Sequence, residues 1–98
     1  MSISQLDTSA IKKSIVVECD GQAEVDRLWD ALISDGGEPG PCGWLKDRYG
    51  LSWQIVPKEF NEMLVSDDAE GARRAMEAML TMGKLDTAEL RRAYDGDA

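Results

Sequence analysis

Hydrophobic and polar residues alternate over two short stretches of the chain and recur with a helical period over others, which indicates a mixed α and β fold. The stretch from Ser14 to Cys19 is rich in β-branched residues and predicts a strand. From Gly21 to Asp35 the spacing is that of an amphipathic helix packed on a sheet. The apolar positions of this helix are Val25, Leu28, Trp29, Leu32 and Ile33. We expect Asp20 to cap this helix and Gly36-Gly37 to end it.

A tight β-hairpin is predicted next, with strands near 42–46 and 51–56. Its turn is Asp47 to Gly50, four residues with glycine last, as a type I turn prefers. Side chains alternate along the second strand. The residues expected to face the helix are Leu51, Trp53 and Ile55. The residues expected to face a cavity or solvent on the other side are Ser52, Gln54 and Val56.

After Pro57 the pattern becomes helical. A short helix is predicted from Lys58 to Leu64, and two more follow the start signals Asp67-Asp68-Ala69-Glu70 and Asp86-Thr87-Ala88-Glu89. The fold class is therefore α+β, a single βαββ(β) module with a C-terminal helical extension. We divide the chain into an N-terminal tail at 1–13, the βαββ(β) module at 14–57 and the helical extension at 58–95.

Composition and charge exclude several classes of function. The chain has 98 residues, enough for one small domain, and its net charge of −8 disfavours binding to nucleic acid or to an anionic membrane. No apolar run reaches the 18 or so residues of a membrane span, and no secretory signal is visible, so we expect a cytoplasmic protein. Histidine is absent, which removes the commonest general base and metal ligand. The cysteines, Cys19 and Cys42, are expected to be buried or half-buried free thiols.

Four residues are candidates for contact with a ligand. Gln54, Ser14 and Glu18 project from the sheet face away from the helix, where they could line a cup. The alternative is that they belong to the solvated face of a half-buried sheet. Trp44 lies in a more open position than the other tryptophans and could serve the core, an interface or a pocket, whereas Trp29 and Trp53 are expected in the core.

Two segments carry a family resemblance. These are VECDGQAEVDRLW at 17–29 and CGWLKDRYGLSWQIVP at 42–57. Over about 14–94, including the helix with Met76–Leu80, the chain resembles the C-terminal module of PhnB-like proteins, also labelled 3-demethylubiquinone-9 3-methyltransferase-like. That family belongs to the glyoxalase, bleomycin-resistance and dioxygenase superfamily, also called vicinal oxygen chelate. The sequence contains no glycine-rich nucleotide-binding turn that would support the methyltransferase label.

The resemblance implies a cup built from two paired modules that holds a metal or a small molecule. This chain supplies one module, so it is either naturally short or a fragment, and a homodimer would rebuild the pair. The resemblance places Ser14 and Gln54 where metal-using relatives carry a His and a Glu ligand. Serine and a neutral amide are poor replacements, so we assign no metal and no cofactor.

The leading functional hypothesis is a dimeric small-molecule-binding protein without established catalysis. A second is a metal-dependent lyase, isomerase or dioxygenase of the same superfamily, with a site completed by a partner chain. A third is a structural dimerisation domain, whose concave face the neighbouring copy fills.

Overall fold

The computed structural model describes residues 14–96, and it confirms the α+β fold class. Its strands are β1 (Ser14–Cys19), β2 (Glu38–Pro39), β3 (Trp44–Lys46) and β4 (Ser52–Pro57). Its helices are α1 (Gln22–Ile33), α2 (Lys58–Leu64), α3 (Ala69–Met79) and α4 (Thr87–Asp95), and a 3₁₀ turn (Ser34–Gly36) follows α1. No helix within the described range is long and apolar enough to cross a bilayer. The predicted tail at 1–13 lies outside this range.

The four strands form one mixed sheet in the order β1-β4-β3-β2. β1 runs parallel to β4, whereas β3 is antiparallel to both β4 and β2. The register places Gln54 at the centre, opposite Val16 on one side and Trp44 on the other. Residues that are opposite each other share a face of the sheet, so these three side chains form one transverse row.

One face of the sheet packs against α1. The buried residues of this core are Cys19, Val25, Trp29, Leu45 and Ile55. Val25 and Trp29 are one helical turn apart on α1, which explains why the predicted apolar stripe meets the sheet. Trp53 and Val17 pack at the edge of the same cluster. The prediction that Trp53 and Ile55 face the helix is thus confirmed.

The other face is covered at one end by the C-terminal helices. The buried residues of this second core are Val56, Phe60, Met63, Ala75, Met79, Leu85 and Leu90. Val56 and Ile55 point to opposite sides of β4, so the C-terminal end of this strand is buried between two layers. The expectation that Val56 faces an open cavity or solvent is therefore wrong, because its side chain is only 5% exposed beneath the helices. Sequence periodicity gave its face correctly but could not show what covers it.

Two side chains of α1, Gln22 and Asp26, join the module to residues 84–87 at the start of the last helix. Gln22 donates from Nε2 to the Leu85 carbonyl at 3.0 Å. Its Oε1 accepts from the backbone N–H of Thr87 at 2.7 Å and from the Thr87 hydroxyl at 2.6 Å. Next to it, Lys84 forms an ion pair with Asp26 at 2.9 Å. The C-terminal segment is therefore fixed to α1 as well as to β4.

The helix caps match the sequence signals at α3 and α4 but not at α1. Asp68 accepts from the Gly71 N–H and Asp86 from the Glu89 N–H, as N-cap carboxylates do. At α1 the predicted cap, Asp20, is wrong. The N-cap is Gly21, whose φ of 129° does not favour a side chain, and the Asp20 N–H instead donates to the Glu24 carboxylate.

Asp47 holds the β3–β4 hairpin closed. Its Oδ1 accepts from the N–H groups of Tyr49 and Leu51, and its Oδ2 accepts from the Trp53 indole N–H at 2.9 Å. The chain reverses at Gly50, where a φ of 85° favours glycine. The indole hydrogen bond, followed by the two backbone N–H groups, lowers the pKa of the Asp47 carboxyl. The ionised form is therefore the one that stabilises the hairpin.

We expect the variant Asp47→Asn to lower the melting temperature at pH 7 by a few degrees, since it loses the acceptor for the Trp53 indole. A pKa that is lower in the folded chain gives stability that is present above the unfolded value of about 3.9 and is lost as the pH falls through the folded value. The gap between wild type and variant should therefore narrow as the pH falls below the unfolded value, as pH-dependent melting curves can show. A gap that is constant with pH would contradict this role. Asp67→Asn, in the exposed loop before α3, is the control.

Both cysteines are free thiols, as expected. Cys19 is buried in the core beneath α1, and Cys42 is half-buried against the second core. Burial raises the pKa of the Cys19 thiol. It is therefore a packing residue held in the neutral form.

Candidate functional site

Part of the sheet face opposite α1 is covered by no residue of the described range 14–96. We call this part the open face; its residues are Ser14, Val16, Trp44, Lys46, Ser52 and Gln54. They form two neighbouring rows across β3, β4 and β1, one centred on Gln54 and one on Ser52. Val16 is 62% exposed, although it lies in a strand in the first row. Val16 thus adds an apolar group to a surface that no residue of 14–96 covers.

Gln54 is oriented by a hydrogen bond to the backbone. Its Nε2 donates to the Cys42 carbonyl at 3.0 Å. That acceptor requires the amide nitrogen, so Oε1 is the atom directed away from Cys42. Oε1 accepts no hydrogen bond from a side chain or backbone donor within residues 14–96. The predicted candidate is thus half-buried, fixed in position and left with one free acceptor.

Trp44 is positioned by the turn that precedes it. Cys42 and Gly43 have φ values of 58° and 82°, and the Trp44 N–H closes the turn on the Pro41 carbonyl at 2.9 Å. A β-carbon at Gly43 would lie 3.1 Å from Cγ of Leu85, so the turn approaches the second core closely. Two hydrogen bonds also bind the turn to the loop after α3. The Cys42 and Gly43 N–H groups donate to the carbonyls of residues 82 and 83 at 2.7 and 2.8 Å.

Ser14 and Glu18 lie on the predicted face but at opposite ends of β1. Ser14 is exposed in the Ser52 row of the open face. Glu18 is four residues away, about 13 Å along the strand, where its carboxylate accepts from the Asn61 side chain of α2 at 2.8 Å. The structure therefore brings Gln54, Trp44 and Ser14 together and holds Glu18 at the margin of the covered end.

A cavity of about 240 Å³ extends the open face beyond Trp44. Its lining includes Glu38, Pro39, Pro41, Trp44, Lys46 and Ser52. The sequence analysis missed Lys46 and Glu38. Alternation along β3 would have placed Lys46 on the same face as Trp44, but no pattern shows β2, because it has only two residues and one is a proline.

The donor set of the open face does not fit a divalent transition ion. Gln54 offers one neutral oxygen, since its nitrogen is engaged with Cys42, and Ser14 offers a hydroxyl. Within residues 14–96 no three His, Cys, Asp or Glu side chains are grouped to hold a metal ion. The oxygen and nitrogen ligands that such ions prefer are imidazole and carboxylate groups.

Comparison with protein-family models identifies the family of the chain. A model of the family 3-demethylubiquinone-9 3-methyltransferase matches residues 5–56, which are 52 of the 98 residues. The chain belongs to this family. The match runs through the whole sheet except Pro57 and includes α1, whereas the resemblance had been expected to continue to about residue 94. The family therefore describes the part of the chain that carries the open face, and the C-terminal helices lie outside the match.

No curated protein sequence matches the chain.

Proposed function

We propose that two copies of this chain join along β1 to form a small-molecule-binding cup of the glyoxalase and vicinal oxygen chelate type. The observation that carries the proposal is the open face, where Trp44, Gln54 and Val16 form a row that the C-terminal helices leave uncovered. One module supplies one wall of such a cup. A second copy supplies the other by two-fold symmetry.

The two edges of the sheet differ in a way that favours β1 as the joining edge. β2 is two residues long and contains Pro39, which has no N–H to donate, so this edge resists pairing. β1 is six residues long, and among the described residues its one hydrogen-bonded neighbour is β4. Its sequence contains neither lysine nor proline, and Ile15 and Val16 are exposed. An edge of this kind is a template for another strand.

Symmetry restricts the register of such a pair. A two-fold axis perpendicular to the sheet keeps the open faces of both copies on the same side of the joined sheet. Each β1 residue that points to the open face must therefore pair with a β1 residue of the second copy that also points to the open face. An axis through Val16 pairs almost the whole strand, with Val16 opposite itself and Ser14 opposite Glu18 of the partner subunit. The joined sheet would have eight strands. In this arrangement the two distant candidates on β1 contribute to one row.

The groups on the open face are suited to binding and orienting a small organic molecule. The Trp44 indole offers an apolar surface, Gln54 Oε1 accepts a hydrogen bond, and the Ser14 and Ser52 hydroxyls donate or accept. Glu18, which accepts a hydrogen bond from Asn61, lies at the end of the proposed cup that is next to α2. The proposal assigns the module no reaction of its own.

The test is a fragment screen by ¹H–¹⁵N NMR on the full chain. We expect bound fragments to shift the signals of the open face. The double variant Trp44→Ala, Gln54→Ala should weaken the best fragment about tenfold or more, because it removes one aromatic contact and one hydrogen bond. The matched control is Arg48→Ala, Tyr49→Ala at the exposed hairpin tip, which should leave affinity unchanged. Unchanged affinity in the first double variant, or fragments that bind elsewhere on the chain, would contradict the proposal.

A further inference from the structure

Two opposite charges without ion-pair partners line the cavity beside Trp44. Glu38 and Lys46 are directly opposite each other on β2 and β3, so their side chains share the open side of the sheet. Neither forms an ion pair or a side-chain hydrogen bond with any residue of 14–96, although six other cations in that range are ion-paired. Both charges border the same 240 Å³ space.

The remaining lining of the cavity is suited to a flat apolar group. The Trp44 indole and the Pro41 ring provide rigid apolar surface, and Ser52 adds one hydroxyl. The volume is below the range of about 300–1,000 Å³ that is typical of pockets for drug-sized ligands. A molecule with a single ring matches this space.

Charge decides what kind of single-ring molecule fits best. A net anion is repelled by a chain of charge −8, and a carboxylate placed near Lys46 also meets Glu38 in the same cavity. A cation is repelled in turn by Lys46. A molecule that carries both charges can form an ion pair with Lys46 through its carboxylate and with Glu38 through its ammonium group. Because its net charge is zero, the negative charge of the protein does not repel it.

We infer that the cavity beside Trp44 binds a single-ring zwitterion, of the kind that an aromatic amino acid represents. The inference rests on the proposed small-molecule role of the open face and gives that role a ligand class. The ring lies against Trp44 and Pro41, the carboxylate lies at Lys46, and the ammonium group lies at Glu38. No covalent step is involved.

The test compares three probes of one shape by NMR titration of the full chain. L-Phenylalanine carries both charges, 3-phenylpropanoate lacks the ammonium group, and 2-phenylethylamine lacks the carboxylate. We expect L-phenylalanine to bind about two- to fivefold more tightly than either analogue, the range that one partly exposed ion pair provides. The advantage should shrink as salt is added.

Two variants separate the two charges. Lys46→Gln should remove the advantage of L-phenylalanine over 2-phenylethylamine, and Glu38→Gln should remove its advantage over 3-phenylpropanoate. Lys58→Gln and Glu62→Gln, the same substitutions on α2, are the controls and should change neither ratio.

Two results would overturn the inference. If an analogue binds as tightly as L-phenylalanine, the charges do not select a zwitterion, while a fragment bound on the open face still supports the proposed function. If none of the three probes shifts the signals of Trp44, Lys46 and Ser52, the ligand class is wrong. Failure of every fragment to bind the open face is the separate result that would remove the proposed function as well.

Discussion

Shortening Leu85 to alanine is expected to lower the free energy of unfolding by about 2–5 kcal/mol. Leu85 is fully buried in the second core, with an exposed fraction of 0%. It packs on the turn at Gly43, and its carbonyl accepts from Gln22 of α1. The residue therefore touches the sheet layer, the turn before Trp44 and the C-terminal segment at once. Chemical denaturation of the variant measures the loss.

Leu80→Ala is the matched control, because Leu80 lies in the same C-terminal part of the chain but is 61% exposed. Leu80→Ala should lower the free energy of unfolding by less than about 1 kcal/mol. If the two substitutions lower the free energy of unfolding by the same amount, Leu85 does not join the sheet to the C-terminal segment. A large cost at Leu85 in a single cooperative transition would mean that 14–57 and 58–95, separated in the sequence analysis, unfold as one unit.

Replacing Val16 by lysine is expected to raise the dissociation constant of the proposed dimer about a hundredfold. Two ammonium groups would then lie directly opposite each other across the β1 pair, and two apolar contacts would be lost. Sedimentation equilibrium checks this. The wild-type chain should have twice its monomer mass of 10.8 kDa, and the variant should return to the monomer mass at the same concentration.

Val65→Lys is the control, since Val65 follows α2, is not part of β1, and is 83% exposed. This variant should remain dimeric, because the substitution is the same but Val65 is not part of the proposed joining edge. Dissociation by both variants would show that charge in general, and not its place on β1, disrupts the assembly. A dimer unaffected by Val16→Lys would place the contact elsewhere.

Most of the fold follows from local patterns. β1 and α2 were predicted with the bounds that the structure gives them, because a β-branched run and a short apolar helix after Pro57 are strong local signals. The helical spacing of Val25 and Trp29 identified the face of α1 that packs on the sheet. Alternation along β4 placed Trp53 and Ile55 on the α1 side and Gln54 on the other.

The errors concern contacts between distant segments. Nothing near Val56 in sequence shows that Leu85 and Leu90, some 30 residues later, cover it. Asp20 has the composition of an N-cap, but the position next to it has a positive φ, which glycine adopts at little cost, so Gly21 takes that role. Such outcomes depend on tertiary packing and backbone geometry that no local window contains.

The positions of the candidate residues were predicted in part for the same reason. Alternation along β4 placed Gln54 on the face away from α1, whereas no pattern fixed Trp44, which was left open between core, interface and pocket. The structure makes the two residues cross-strand neighbours. Glu38 was missed because β2 has no recognisable pattern, and Lys46 because its importance depends on the cavity that β2 helps to form. Their lack of ion-pair partners is visible only in three dimensions.

Amide hydrogen exchange along β1 in the wild-type chain tests most directly whether this sheet is half of a larger one. Every second N–H of Ser14–Cys19 points away from β4, the neighbour that the described structure gives this strand. In the joined sheet these outward N–H groups bond to the second copy, so they should exchange slowly and lose that protection in Val16→Lys. Exchange of the outward amides at the rate of an unstructured chain, while the inward ones stay protected, would contradict the two-copy cup.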